Sequence, residues 1–401
     1  MDFVYSFWNE MMVRRGNSSL ALLKPYLMPG TGKYLEQFAA APAAVGSLVE
    51  VNGVVIGSLR ISSVCKADFF HSPGKSDDSS PAHFITVELD GNFTEKYQNG
   101  SIKKFYMQAN LEFVRVAGIQ SKAPNDIFVL ACQSCGGTLN QETIGEACPY
   151  CSQPYHLPFF NWKLNSMEMA AKPVSRPSCQ IQKGQVIESG YCQLLKKQYD
   201  LENALNALET EGGFSRDAFI ARVEAIFDNL YTLWQKNDME GMVPFLTDRL
   251  ASSFQFWITT YQTNNMKNIL EEWKIESIEP STLREDRFYD AITVRVRASV
   301  IDYTIEGKSK IVDGSDCYRR FFAEYWTLVR SVVPPEKGTC PSCGVEILQD
   351  QSTRCSFCGS RLFVPRGEWR LSTIEQAETY KVGREGIIIV FTPGPKKEVT
   401  A

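Results

Sequence analysis

The chain has 401 residues, and since a typical domain has about 150, two or more domains are expected. Apolar residues make up 44% and charged residues 22%, a composition that excludes a disordered or fibrous protein. The net charge of −4 excludes a generally basic nucleic-acid coat, and three histidines are too few for a histidine-rich metal centre.

The first predicted element is an N-terminal helix with apolar residues on one face. Arg14 and Arg15 follow that face, so the helix either packs into a core or lies on an anionic membrane. We favour the core, because Trp8 aligns with Trp234 in the repeat described below. With no signal peptide and no apolar run of about 20 residues, we expect a cytoplasmic protein. The apolar face consists of Phe3, Val4, Phe7, Trp8, Met11 and Met12.

Eight of the twelve cysteines form two sets of CxxC pairs. Each CxxC turn offers two thiolates, and two such turns complete the tetrahedron that Zn²⁺ prefers. The first set predicts a zinc ribbon at 130–155, between a strand ending at Arg115 and a strand holding Trp162. Ser152 stands where three of the four turns have glycine. The first set consists of Cys132, Cys135, Cys148 and Cys151.

The second set predicts a zinc ribbon at 338–362, between strands that hold Arg330 and Trp369. Four thiolates leave no open position for catalysis, so we expect two structural Zn²⁺ ions in a reducing compartment. A redox CxxC and an iron–sulfur cluster are disfavoured by the doubled, evenly spaced pattern. The second set consists of Cys340, Cys343, Cys355 and Cys358. Cys65, Cys179, Cys192 and Cys317 remain without an assigned role, and isolated cysteines are usually small buried hydrophobes.

The two halves of the chain share five short matches in the same order. Because the order is kept while the spacing varies, we predict a duplicated module with loop insertions. The matched segments are 5–8 with 231–234, 25–27 with 244–246, 85–87 with 292–294, 105–115 with 320–330, and 162–164 with 369–371.

Each module is predicted to contain helices, then antiparallel strands, a ribbon and a final strand, which is an α+β fold class. In the second module, apolar spacing predicts a helix from Phe219 to Trp234 with Ser215 as its N-cap. Alternation from Ile292 to Val300 predicts a half-buried strand. The predicted bounds are 1–170 for the first module, 171–213 for a linker with a bridging helix at 191–208, 214–385 for the second module, and 386–401 for a last strand and tail.

The second module resembles a known family. The segments that carry the resemblance are 219–239, 244–248, 324–330, the second cysteine set and 369–375. They are similar to bacterial proteins with a domain like the C-terminal domain of mitochondrial inner-membrane translocase subunit 44, which often carry a zinc ribbon here. That family belongs to the nuclear transport factor 2-like superfamily, so the resemblance implies tandem cone-shaped modules with a curved sheet around helices. The first module resembles the family more weakly and lacks the tryptophan at Leu111.

The resemblance implies a non-catalytic scaffold or adaptor that binds protein partners, because the mitochondrial relative is a membrane-associated scaffold. We therefore expect no enzyme activity. Peripheral contact with the inner face of the membrane is a further expectation from the same analogy.

The alternative is a small-molecule binding protein or enzyme that uses the mouth of the second cone. Its pocket candidates are Glu324, Asp302, Tyr303 and Trp326. We favour a plain ion pair between Glu324 and Arg330, since no second catalytic group falls at a recognisable spacing.

Nucleic-acid binding through the ribbons is a third possibility. Phosphate binding needs clustered Lys or Arg, whereas loop 136–147 has no basic residue and loop 344–354 has one arginine. We therefore expect no nucleic-acid partner.

Overall fold

In a computed structural model the chain divides into two compact units. The first unit includes the described residues up to Val174, and the second includes those of 180–332 and 368–382. Cys179, the second cysteine set and the predicted tail at 386–401 lie outside the described residues. The described residues are 2–16, 20–31, 35, 46–71, 79–122, 128–139, 145–155, 161–174, 180–286, 288–332, 345–346 and 368–382.

The first unit contains a four-stranded antiparallel sheet in the order β1-β2-β3-β4. Helix α1 and a following 3-10 helix supply its helical layer. Register shifts occur at several points between β1 and β2, and bulges of this kind bend and twist a sheet. The elements are α1 (Asp2–Gly16), the 3-10 helix (Leu20–Tyr26), β1 (Leu48–His71), β2 (Ser79–Tyr97), β3 (Ile102–Val116) and β4 (Lys163–Pro173).

Helix α1 lies in the core of the first unit. Phe7, Trp8 and Met11 are fully buried, and the Phe7 ring meets the Phe113 ring of β3 edge-on at 5.8 Å. Alternate residues of β3, Met107 among them, face this helix as period two requires. The membrane-surface alternative for this helix is therefore wrong, because its apolar face is already covered by the sheet.

The second unit contains a five-stranded sheet in the order β5-β8-β7-β6, and β9 also pairs with β8. Strand β5 pairs with β8 in parallel, while the other pairs are antiparallel. The strands are β5 (Val186–Ile187), β6 (Met266–Glu285), β7 (Tyr289–Glu306), β8 (Lys310–Ser331) and β9 (Arg370–Gln376). The α-helices are α2 (Leu201–Glu211), α3 (Arg216–Lys236), α4 (Met239–Met242) and α5 (Asp248–Thr263).

Helix α3 forms where the sequence predicts a helix. The Ser215 side chain accepts a hydrogen bond from the Ala218 amide at 3.4 Å, so the predicted N-cap is confirmed. The helix ends at Asn237, whose backbone is left-handed with φ 53°. Its apolar stripe packs on alternate residues of β7 and β8, such as Val294 and Trp326. We call this side of the sheet its inner face.

The predicted bridging helix at 191–208 is wrong in its first half and as a bridge between the modules. A short 3-10 helix covers Ser189–Cys192, and α2 begins only at Leu201. Between them the backbone is tied to the sheet instead, since the Gln198 amide donates to the Ser281 carbonyl at 2.9 Å. The leucines of α2 are buried in the core of the second unit, so this helix is part of that unit and does not act as a spacer.

No helix in the described part of the chain is long and apolar enough to cross a membrane.

The same local contacts recur in both units. Leu27 forms an isolated parallel bridge with Leu164, and Leu246 forms the same bridge with Leu371. The pairing of the last two strands shifts register at Glu112/Phe113 in the first unit and at Thr327/Leu328 in the second. These positions correspond in the two matched segments 105–115 and 320–330.

Candidate metal centre and polar cluster

The first cysteine set comes together as one compact group. The four Sγ atoms lie within 4.8 Å of one another, with Cys132 and Cys148 buried and Cys135 and Cys151 exposed. The Cys132–Cys151 and Cys135–Cys148 Sγ distances are 3.8 and 3.7 Å. A tetrahedral Zn²⁺ with four Zn–S bonds of about 2.3 Å separates its ligands by about 3.8 Å. The four thiols therefore fit a single tetrahedral metal ion.

Two backbone turns of the same form hold the four thiols. The Gly136 amide donates to the Cys132 carbonyl at 2.8 Å, and the Ser152 amide donates to the Cys148 carbonyl at 2.9 Å. Both residues are left-handed, with φ 75° at Gly136 and φ 58° at Ser152. Ser152, which stands where the other three CxxC turns have glycine, thus adopts the left-handed conformation that glycine favours. This costs some backbone strain.

The cysteine group is held to the rest of the first unit by polar contacts, of which those of Lys163 are buried. The Lys163 ammonium donates to the carbonyls of Pro25 and Tyr155, and its side chain is fully buried. The Tyr26 hydroxyl donates to the Val129 carbonyl at 2.6 Å, while Lys24 pairs with Glu146 at 2.8 Å. These contacts join the segment after α1 to both ends of the cysteine region.

Burial lowers the pKa of Lys163 to about 7, because the charged form loses its hydration. The sequence comparison matched Trp162-Lys163-Leu164 to a triplet in the second half but assigned no role to the lysine. Its position between Trp162 and Leu164, two large apolar residues, was the available signal in the sequence.

The cysteines without an assigned role are not buried hydrophobes where they are described. Cys65, Cys192 and Cys317 are all exposed. The expectation of burial is therefore wrong for these three.

A second group of polar side chains lies on the inner face of the second unit. The Trp326 indole donates to the Glu324 carboxylate at 2.9 Å, and the Gln376 amide donates to its other oxygen at 3.1 Å. The predicted Glu324–Arg330 pair is wrong, because Arg330 instead donates to Asp290 at 2.6 Å. Glu324 and Trp326, two of the four pocket candidates, are thus hydrogen-bonded to each other.

Arg320 joins two carboxylates near Glu324. It donates to Asp302 at 2.9 Å and to Glu188 at 2.6 Å. The other oxygen of Asp302 accepts from Asn268 at 2.8 Å, and Asn268 in turn accepts from the Trp234 indole at 2.9 Å. A continuous chain of hydrogen bonds therefore links helix α3 to the strand β8.

The electrostatics of this polar cluster follow from its burial. Desolvation, reinforced by the charge of Glu188, raises the pKa of Glu324, while its Trp326 bond and Arg320 oppose the shift. Desolvation and the nearby Glu324 charge likewise raise the pKa of Tyr231 well above its usual value. Burial thus shifts both Glu324 and Tyr231 toward their neutral forms relative to the same groups in water.

The fourth candidate, Tyr303, does not join this group. Its side chain interacts with Glu271, and burial together with that carboxylate raises its pKa. Glu188 was missed by the sequence reasoning, because it lies more than a hundred residues from Arg320 and in the predicted linker.

The family model described as Tim44-like domain matches residues 204–339. Residues 204–339 are thus Tim44-like. This Tim44-like region runs from helix α2 through β8 and covers about a third of the chain. The first unit, β5 and β9 lie outside the match. No curated protein matches the chain.

Proposed function

We propose that the protein is a non-catalytic, zinc-stabilised scaffold that binds protein partners in the cytoplasm and contacts the inner face of the membrane. The observation that carries this proposal is the Tim44-like match at residues 204–339. Domains of this kind interact with proteins and membranes. The four-thiolate group supports a structural metal, since it leaves no open coordination position for a substrate.

The proposal includes two copies of one module in tandem. The recurring Leu27–Leu164 and Leu246–Leu371 bridges support it, as do the register shifts at matched positions. Two similar modules in one chain would offer two related surfaces to partners. In this proposal the cone-like fold of the Tim44-like region extends to the first unit.

The proposed metal is Zn²⁺ held by Cys132, Cys135, Cys148 and Cys151. When bound, zinc would supply binding free energy that folds the cysteine region. Lys163 and Tyr26 would connect the folded cysteine region to the rest of the first unit, because their hydrogen bonds hold both ends of the region. A second Zn²⁺ at Cys340, Cys343, Cys355 and Cys358 rests on the sequence pattern alone.

The test is affinity capture of the tagged full chain from its native cells, with zinc measured on the same sample. We expect stoichiometric protein partners, about two zinc ions per chain, and partial recovery with the membrane fraction. Capture of the chain alone, or substrate turnover by the purified chain, would contradict the scaffold.

A small-molecule site on the inner face of the second unit is the second candidate function. The observation in its favour is the partial burial of the ionisable side chains of Arg320 and Glu324. Buried ionisable groups cost stability and often mark functional sites. The matched positions in the first unit are Phe105 and Ala109. Native mass spectrometry of the purified chain tests this idea. A co-purifying ligand that the Asp302→Asn variant loses supports it, and a ligand-free wild-type chain contradicts it.

A further inference from the structure

The edge of β8 in the second unit is paired differently from the matching edge of β3 in the first unit. In the first unit, β4 pairs with β3 as far as Phe105↔Pro173. In the second unit, β9 pairs with β8 only as far as Glu324↔Gln376 and then turns away. The part of β8 before Glu324, which corresponds to the end of the β3–β4 ladder, therefore pairs with a different segment.

That segment comes from the predicted linker, and we call residues 181–188 the strap. Ile181 bridges Gly314 in parallel, and Val186 pairs with Arg320. At its end the Glu188 amide donates to the Phe321 carbonyl at 2.9 Å. The strap thus fills the β8 edge with a parallel strand where the first unit has an antiparallel one.

The strap is held mainly by main-chain bonds and one ion pair. Ile181 is 61% exposed and Ile187 is 59% exposed, so little apolar area holds the strap in place. In contrast, the segment after it is clamped, since Glu378 accepts from Gly190 and Ser189 at 2.6 and 2.9 Å. Local opening of the strap therefore does not require unfolding of the segment that follows it.

The ion pair between Arg320 and Glu188 gives the β8 edge a preference for a strand that carries a carboxylate. The Glu188 carboxylate lies 2.6 Å from Arg320, which stays paired with Asp302 at 2.9 Å if the strap leaves. Arg320 stands at a position where the first unit has Phe105, so this charge belongs to the second unit's edge. An incoming strand with a carboxylate at the same place would restore the contact.

We propose that the β8 edge from Gly314 to Phe321 docks an extended peptide by parallel β-pairing, and that the strap occupies this edge in cis. The partner is a protein segment with two β-branched residues followed by an acidic residue, which replaces Glu188 at Arg320. Main-chain hydrogen bonds supply affinity in such pairing, and side-chain positions supply selectivity. The inference rests on the proposed scaffold function and names the chemistry of its partner.

The test uses the full chain and a fluorescent peptide with the sequence of residues 180–189. A loosened chain carries Val186→Gly and Ile187→Gly, because glycine weakens a strand. A chain with Val64→Gly, which removes a similarly exposed valine from β1, is the matched control. Circular dichroism establishes that all three chains are folded.

We expect the peptide to bind the loosened chain at least tenfold more tightly than the wild-type or control chain. A peptide with glutamine at the Glu188 position should bind about tenfold more weakly, because a charge-assisted bond is lost. Arg320→Gln in the loosened chain should abolish that difference. Hydrogen exchange of wild-type residues 181–188 should be faster than that of β8.

Equal peptide affinity for loosened and wild-type chains overturns the inference, as does exchange in the strap as slow as in β8. If the loosened chain dimerises by exchanging straps, the β8 edge binds a second copy of this chain. That result would contradict the proposal that its partner is a different protein. If native partners are captured equally by wild-type and Arg320→Gln chains, the scaffold function stands and this inference fails. If no partner is captured although the peptide binds as expected, the scaffold function alone fails.

Discussion

The Arg115 guanidinium lies 4.3 Å from the centre of the Trp162 ring, and Arg330 lies 4.9 Å from the centre of the Trp369 ring. Each pair joins the end of one strand, β3 or β8, to the residue just before the next strand, β4 or β9. Both tryptophans are buried, so each contact combines apolar burial with a cation–π interaction. In each unit this pair joins the two positions between which a cysteine set lies in the sequence.

Replacing Trp369 by leucine should destabilise the second unit by about 2 kcal/mol, because a buried ring and its Arg330 contact are lost. Urea denaturation followed by circular dichroism, fitted as two transitions, measures the loss. Trp257→Leu is the control, since Trp257 is 46% exposed and its change should stay within about 0.5 kcal/mol. Equal effects of the two substitutions would contradict the prediction.

Cys148→Ser should remove one metal ion per chain and lower the unfolding temperature of the first unit, leaving the second unit unchanged. The reason is that Cys148 is buried and supplies one of the four thiolates of the compact group. Elemental analysis and differential scanning calorimetry make the measurement. Cys65→Ser, at an exposed cysteine, should change neither quantity. Unaltered metal content in the Cys148 variant would rule out this site.

Lys163→Met should destabilise the first unit by about 1–3 kcal/mol, because the carbonyls of Pro25 and Tyr155 lose their donor while the apolar stem is kept. Limited proteolysis should then cut the cysteine region faster than in the wild-type chain. Lys104→Met, at an exposed residue of β3, serves as the control. A cleavage rate equal to that of the control would show that Lys163 does not fasten the region.

Glu324→Gln should become relatively more stable than the wild-type chain as the pH rises. The pKa of Glu324 is raised by burial, so the folded state binds its proton more tightly than the unfolded state does. This group therefore contributes stability below its ordinary value of 4.5, and that stability is lost as the pH rises through the raised pKa. Glutamine does not titrate and keeps an oxygen for the Trp326 indole.

Melting temperatures of the two chains between pH 4 and pH 8 provide the measurement. Glu240→Gln at an exposed position is the control and should follow the wild-type curve. A constant difference between Glu324→Gln and wild type over this range would mean that Glu324 does not titrate with a raised pKa.

The polar cluster shows why part of the candidate site could not be predicted. Glu324 and Trp326 share a strand face by period two, so their proximity follows from the sequence. Glu188 reaches Arg320 only because a segment that reads as a linker pairs with β8. The expected Glu324–Arg330 pair is wrong for a separate reason, because the register between β7 and β8 places Asp290 opposite Arg330.

The sequence by itself determined the features that depend on short-range spacing. CxxC pairs specify a four-thiolate group, and apolar periodicity specifies the helix after Ser215 and the alternation along β7. Only the tertiary structure decided which distant residues meet, because strand register and edge occupancy bring together groups far apart in the chain. Lys163 with Pro25 and Glu188 with Arg320 are contacts of that kind, more than a hundred residues apart.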